Sequence, residues 1–232
     1  MGEMNYAIVS LPGLTSFQEV YELQEKLLEQ RIRDEIPDTL IFCEHTPVIT
    51  RGRGLQKMPG REERAKPLLN MSAGTEYVEA TRGGDLTWHG PGQLVLYPIV
   101  KLGGNGDLGR AIGQDIHRYI RFLEGIFIRL LSDFGIQASS KENGSGVWIG
   151  PLKVASVGIA IRKWVSYHGI AINVVSDLQA FHSFDPCGYS AEVMTRLRDQ
   201  QSLSPFLFTS DWRPQWESLI IASISQSLLS KF

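Results

Sequence analysis

Thr81-Arg82-Gly83-Gly84-Asp85-Leu86-Thr87-Trp88-His89-Gly90-Pro91-Gly92-Gln93-Leu94-Val95-Leu96-Tyr97-Pro98-Ile99 sets four glycines and two prolines among Arg, Asp, Thr, Trp, His and Gln side chains. A surface connection built of turn residues seldom carries so many groups able to bind or catalyse. The apolar run from Leu94 to Val100 follows at once and reads as a strand, so the glycine-rich part is held against a rigid element. Glycines at 83, 84, 90 and 92 allow positive φ and let a ligand approach the backbone amides. A hairpin connection with incidental polar residues is the competing reading. The balance favours the wall of an active site.

Upstream, Tyr6 to Leu11 reads as a short strand closed by Pro12-Gly13. Ser16 caps a helix to about Arg33, with Val20, Leu23, Leu27 and Leu28 on one face. Thr39 to Cys43 is an apolar, β-branched strand, and Cys43 within it reads as a buried core thiol. Glu44 to Pro47 turns the chain into Val48-Ile49-Thr50. From 51 to 66 the character changes: Arg51, Arg53, Lys57, Arg61, Arg64 and Lys66 stand against Glu62 and Glu63, a local sum of +4. That segment is either a solvated loop or a docking surface for an acidic partner. Val78 to Thr81 leads into the opening stretch as a strand.

Downstream, Leu108 to Phe134 carries apolar residues at three- and four-residue spacing, including Ile112, Ile116, Tyr119, Leu123, Phe127, Leu130 and Leu131. One long helix is expected, ended by Gly135. His117 falls off its apolar face and reads as a surface residue. Val147 to Ile149 is a strand, and Lys153–Ile161 with Val165–Val174 is an antiparallel pair joined at Arg162-Lys163-Trp164. Residues 176 to 186 form a loop, and a terminal helix starts at Ser210 or Asp211 with Trp216, Leu219, Ile220, Ile224 and Leu228 inward. Without repeats or linkers, residues 1–232 read as a single domain.

The composition narrows the function. A formal charge of −2 argues against a general nucleic-acid binder. No run approaches the ~18 apolar residues that span a bilayer, and the N-terminus lacks a secretory pattern. Two cysteines make no disulfide framework, so a reducing cytoplasm is expected, and metal-ligand spacing is absent.

Cys187 differs from Cys43: it sits in a loop between Pro186 and Gly188, where small or rigid neighbours expose a side chain. A thiol attacks only as thiolate, so a nearby cation or base must lower its pKa. His89, His168 and Lys153 are the candidates. Lys153 opens the apolar run Lys-Val-Ala-Ser-Val-Gly-Ile-Ala-Ile, where a cation is costly without a partner. A lysine at a strand end with its head in water, and a histidine bonded to backbone at 168, are the structural alternatives.

In this order the motifs resemble the lipoyl(octanoyl) transferase family of lipoate biosynthesis. The resemblance runs from Glu44-His45-Thr46-Pro47-Val48-Ile49-Thr50-Arg51-Gly52-Arg53 to Thr195-Arg196-Leu197. It is strongest at Arg82 to Gln93, at Gly146-Val147-Trp148-Ile149 with Lys153-Val154-Ala155, at His168 to Asn173 and at Pro186-Cys187-Gly188. Trp88 stands where the family usually has Tyr, near the expected pocket edge. The resemblance implies an α+β fold with a mixed, largely antiparallel sheet and packed helices, like the catalytic domains of biotin and lipoate protein ligases. It implies Cys187 as acyl-thioester nucleophile, with Lys153 opposite it lowering the thiol pKa and moving protons. It places acyl-substrate contacts at Arg82, Gly83, Gly84, Asp85, Leu86, Thr87, Trp88 and His89, at Ser156, Val157 and Gly158, and at Gly169, Ile170 and Ala171. Gly83, Gly84, Gly158 and Gly169 are expected to leave room for the chain.

The implied donor is octanoyl-acyl carrier protein. The implied acceptors are lipoyl domains of 2-oxoacid dehydrogenase complexes and the glycine cleavage H protein, with no nucleic acid or membrane partner. Thioester exchange is near neutral and amide formation runs downhill, so no cofactor is expected, and the chain has no Walker-type loop. Two rivals stay open: an ATP-dependent lipoate or biotin protein ligase, and a non-catalytic module that holds an acyl carrier or lipoyl domain.

Overall fold

The computed structural model of the chain describes residues 5–54, 74–142, 144–184 and 190–229. The chain builds β1 (Tyr6–Thr15), α1 (Phe17–Ile32), β2 (Asp38–His45), β3 (Val48–Arg51), β4 (Glu76–Glu79), β5 (Leu86–His89) and β6 (Gln93–Ile99). It continues with α2 (Asp107–Ile112), α3 (Ile116–Asp133), β7 (Ala138–Lys141), β8 (Gly144–Ile149), β9 (Leu152–Arg162), β10 (Val165–Asn173) and α4 (Trp212–Leu229). A seven-stranded sheet has the order β1-β2-β6-β10-β9-β8-β7, and a three-stranded sheet the order β4-β3-β5. In the larger sheet only β1 and β2 run parallel, because α1 forms a crossover between them. This is the expected mixed, largely antiparallel α+β architecture.

Both faces of the large sheet are covered. Leu94, Leu96, Ile170 and Ile172 pack with Leu123, Phe127, Trp216 and Ile220 on the side of α2, α3 and α4. The alternate residues Val95, Tyr97 and Ala171 pack with Val20 and Leu28 of α1. This period-2 division explains why β6 and β10 are apolar throughout. Cys43 is fully buried on the α1 side, as expected, and burial raises its pKa.

Helix α1 starts where Ser16 predicts, with a full capping box between Ser16 and Glu19. The expected long helix over 108–134 is instead two, α2 and α3. Gly113 takes φ 77° and Asp115 caps α3 by accepting from Arg118 N at 3.0 Å. The apolar period runs through the break, which hides it, and Ile116 ends up 42% exposed. Gly135 (φ 73°) follows α3 as expected. The 153–174 hairpin forms as read, with Lys163 and Trp164 at its tip both at positive φ. Strand β7 was not anticipated. Of the inward face expected on α4, Trp216, Ile220 and Ile224 are buried, whereas Leu219 and Leu228 are only partly so.

A charged knot ties the end of α1 to the start of β2 and to α2. Buried Arg31 donates to Asp38 Oδ1 at 2.8 Å and to Asp34 Oδ1 at 2.6 Å. Asp38 also accepts the amides of Lys101 and Gly109, each at 3.1 Å. Buried charges persist when paired and hydrogen-bonded in this way. No helix among the described residues is long and apolar enough to cross a membrane.

Candidate active site

The opening stretch is not one loop. Residues 86–89 form β5, paired with β3 so that Thr87 faces Thr50 and His89 faces Val48. Residues 82–85 are held on one side by Gly83 N to Ile159 O at 2.9 Å. On the other side, Gly52, Arg53 and Gly54 donate to the carbonyls of Asp85, Arg82 and Gly84 at 2.9–3.0 Å. The following turn is fixed by Gly92 N to Glu44 Oε1 at 2.6 Å. Gly92, at φ 84°, has room for no side chain, since a Cβ there meets Ser176 N at 2.6 Å.

A cleft of about 430 Å³ of empty space, part of it open to solvent, lies between β5 and the α1 face of the large sheet. Of the residues expected there, it is lined by Arg82, Gly84, Thr87, His89, Ser156, Val157, Gly158, Gly169, Ile170 and Ala171. The remaining expected contacts lie elsewhere. Leu86 and Trp88 alternate to the opposite face of β5 and pack with Ile49, Phe181, Phe184 and Met194. Gly83 spends its amide on Ile159, and the Asp85 carbonyl is taken by Gly52. Trp88 is therefore part of an apolar cluster behind the cleft rather than on its edge.

The glycines divide as well. A Cβ on Gly158 meets Arg82 Cδ at 3.0 Å, so this glycine bears on the cleft. A Cβ on Gly169 meets Leu96 O at 2.1 Å, so its bare Cα makes room for β6 rather than for a ligand.

Phe17, Val95, Tyr97 and His168 complete the lining. Val95 and Tyr97 share one face of β6 by strand geometry, although its uniformly apolar sequence shows no alternation. Phe17, an apolar residue beside a helix cap, gave no signal in the sequence. The Phe17 ring lies parallel to those of His89 and His168, with centroids 6.4 Å and 6.3 Å away. Arg82 is fixed by Thr50: Nε donates to Oγ1 at 3.1 Å and Nη2 to the carbonyl at 2.6 Å.

Hydrogen bonds assign the tautomers of His89 and His45. Gln93 Nε2 donates to Trp88 O at 3.2 Å and to Asn173 Oδ1 at 2.9 Å, so Gln93 Oε1 accepts from His89 Nδ1 at 2.7 Å. His89 Nε2 then keeps its lone pair. His45 Nδ1 donates to Thr15 O at 3.1 Å, and its Nε2 accepts from Tyr97 Oη at 2.9 Å. His168 bonds Thr81 Oγ1 at 3.0 Å through Nε2, and its buried Nδ1 has no partner among the described residues. Burial holds all three rings neutral: it lowers His45 to about 4, His168 to about 3 and His89 well below its ordinary value.

Lys153 is 3% exposed, not a strand-end lysine with its head in water. Its carbonyl accepts Thr195 N at 2.9 Å, and it bridges Met194. The ammonium lies 5.6 Å from the centre of the Trp148 ring, which also carries Lys141 Nζ at 3.6 Å. Cys187 falls outside the described residues, as do Gly188 and positions 55–66 of the basic segment. Among the described residues no group of three or more His, Cys, Asp or Glu is placed to hold a metal ion.

The family model of the lipoyl protein ligase A/B catalytic domain matches residues 16–207. The octanoyltransferase of Geobacter metallireducens is 40% identical over 185 residues, 80% of this chain and 79% of that protein. The octanoyltransferase of Gloeobacter violaceus is 41% identical over 192 residues, 82% of this chain and 79% of that protein. This chain belongs to the octanoyltransferase family. It is an acyltransferase, and its fold is that of lipoate-protein ligases. A lipoate-protein ligase A structure with bound ATP overlays with a TM-score of 0.65 at 15% identity, covering 98% of this chain and 86% of that one. A putative lipoate protein ligase from T. acidophilum with bound lipoic acid overlays at 0.64 and 15% identity, with the same coverage. In this octanoyltransferase-family chain the matched span takes in Phe17, β5 and the cleft-lining parts of β9 and β10, and ends before α4.

Proposed function

We propose that the chain carries an octanoyl group from an acyl-carrier protein, through a thioester on Cys187, to a lysine of lipoyl domains, in lipoate biosynthesis in the cytoplasm. The acceptors are lipoyl domains of 2-oxoacid dehydrogenase complexes and the glycine cleavage H protein. Residues 1–232 act as one catalytic domain, without cofactor. The observation that carries this reading is Lys153: a buried ammonium at the start of β9, tied to Met194 and Thr195, in a chain 40% identical to an octanoyltransferase.

In the first step the Cys187 thiolate attacks the donor thioester carbonyl, the carrier thiol leaves and takes up a proton, and one thioester replaces another. In the second, the acceptor amine attacks the enzyme thioester, loses a proton and forms the amide, and the Cys187 thiol is regenerated. Lys153 lowers the thiol pKa and moves the proton. The cleft supports acyl binding with the apolar side chains of Phe17, Val95 and Ala171. Burying about six methylenes at ~0.8 kcal/mol each contributes roughly 5 kcal/mol.

Mass spectrometry after mixing with octanoyl-carrier protein tests the reading. The chain gains one octanoyl mass, and Cys187→Ser gains none. No gain in the unaltered chain points to a binding module. Octanoyl-acceptor formed from octanoate and ATP without carrier points to a ligase.

A further inference from the structure

Alternation along β9 is broken at the residue that the proposed reaction needs. The side chains of Ala155, Val157 and Ile159 pack in the core that α3 and α4 cover, while Ser156 and Gly158 line the cleft on the other face, where Val157 also borders it. Strict period-2 geometry would put Lys153 with Ala155, away from the cleft. Instead Val154 and Ala155 both enter the core beneath α3 and α4. The ladder to β8 shows why: Val147 pairs with Ala155 and Trp148 with Lys153, so Val154 is an extra residue in a β-bulge. The bulge turns Lys153 to the face of Ser156, and bulges beside active sites commonly re-aim a side chain in this way.

Two residues hold that bulge. Gly146 pairs with Ser156, so a side chain on it would point to the same face. Its Cβ would lie 2.7 Å from Lys153 Cε and 2.2 Å from Ala155 O, and its φ is 144°. The missing side chain is the trough that the Lys153 stem crosses. The Gly146 amide donates to Glu124 Oε1 at 2.8 Å. Glu124 sits on α3, 1% exposed, with its other oxygen held by Arg121 Nη1 at 2.8 Å. A buried carboxylate is costly unless its oxygens are satisfied, and one of its partners here is the backbone of the bulged ladder.

We infer that Glu124 and Gly146 are positioning residues for Lys153: the carboxylate fixes the bulge, and the bare glycine lets the lysine stem reach the cleft face. The inference rests on the reading of Lys153 given above for its meaning in acyl transfer, but not for its geometry.

The test uses the full chain with Glu124→Asp, which keeps the charge but falls short of the Gly146 amide, and Glu124→Gln, which keeps an acceptor oxygen in place. Gly146→Ala and Lys153→Ala complete the set. Competitive acetylation with peptide mass spectrometry reads the Lys153 amine directly, and single-turnover acylation by octanoyl-carrier protein is followed across pH. Glu124→Asp and Gly146→Ala change the Lys153 labelling rate severalfold and slow acylation about tenfold near neutral pH, with recovery at alkaline pH. Glu124→Gln stays close to the unaltered chain in both. Should Gly146→Ala not fold, Glu124→Asp decides alone. Folded Glu124→Asp with unchanged Lys153 labelling overturns the inference, whatever acylation does. Altered labelling alongside full acylation by Lys153→Ala keeps the positioning and removes Lys153 from the reaction.

Discussion

His89 Nδ1 lies 2.7 Å from Gln93 Oε1, and the other end of the Gln93 amide is committed to Trp88 O and Asn173 Oδ1. Asn173 in turn donates to Thr195 O at 3.0 Å, and Thr195 N bonds the carbonyl of Lys153. One buried chain of hydrogen bonds therefore joins the His89 ring to the start of β9. Replacing Gln93 by Leu leaves His89 Nδ1 without its acceptor and Asn173 Oδ1 with only the 3.5 Å bond from Ser176 Oγ, and frees the imidazole to change tautomer. Stability should fall by about 2–4 kcal/mol, and acyl transfer by about 10- to 100-fold, the usual cost of losing an orienting partner. Gln93→Glu still accepts from Nδ1 but sets an oxygen against Trp88 O and Asn173 Oδ1, so it should keep the tautomer while losing stability. Nitrogen-15 shifts of the imidazole report the tautomer, and an unchanged tautomer in Gln93→Leu refutes this role.

The three buried imidazoles make stability depend on acid. Their folded pKa values lie below the unfolded value near 6.5, with His45 at about 4 and His168 at about 3. Above pH ~6.5 both states are neutral and stability is independent of these groups. As pH falls below that, only the unfolded chain takes up protons. Each histidine then removes about 1.4 kcal/mol per pH unit, roughly 4 kcal/mol per unit for the three together. The loss ends only as pH passes the folded values. Urea unfolding between pH 8 and 4.5 measures it, and His45→Gln should lessen the slope by about a third.

Asp38 is the acceptor on which Arg31, Lys101 and Gly109 converge. Asp38→Ala takes the fully buried carboxylate from a nearly fully buried guanidinium, leaving it the half-exposed Asp34 and the Asn105 side-chain carbonyl, and should cost about 3–5 kcal/mol, as removal of one partner of a buried pair does. Asp38→Asn, which keeps an acceptor for part of the knot, should cost less. Equal urea midpoints for Asp38→Ala and the unaltered chain would discount the knot as a source of stability.

Gly158 and Gly169 line the same cleft but predict different failures. Gly158→Leu intrudes beside Arg82 and should reduce octanoyl transfer about 10- to 200-fold while sparing shorter acyl chains. Gly169→Ala drives a methyl into the Leu96 carbonyl and should weaken folding without shifting chain-length preference. Acylation rates with a series of donor chain lengths, set beside thermal unfolding, separate the two.

Much of this was legible in the sequence, and what escaped has physical reasons. The Ser16 cap, the 153–174 hairpin and buried Cys43 follow from local rules that tertiary packing did not override. The break at Gly113 was masked because the apolar period continues across it, and a single glycine looks tolerable inside a helical pattern. β5 was hidden because Gly and Pro surround it, although its alternation sends Thr87 and His89 one way and Leu86 and Trp88 the other. Motif resemblance takes neighbours along a strand together, whereas a pleated strand deals them to opposite faces. The burial of Lys153 fitted its apolar run, but the route by which it reaches the cleft face depends on a register shift that no linear pattern announces.

The sealed thiol of Cys43 has a practical corollary. The chain holds two cysteines, and this one has no exposed surface and a suppressed tendency to ionise. A thiol-selective reagent captured by the native protein therefore reports on the second cysteine. Under the proposed thioester mechanism, acyl occupancy of position 187 is counted by protection from a simple label, with no need to engineer a cysteine-free background.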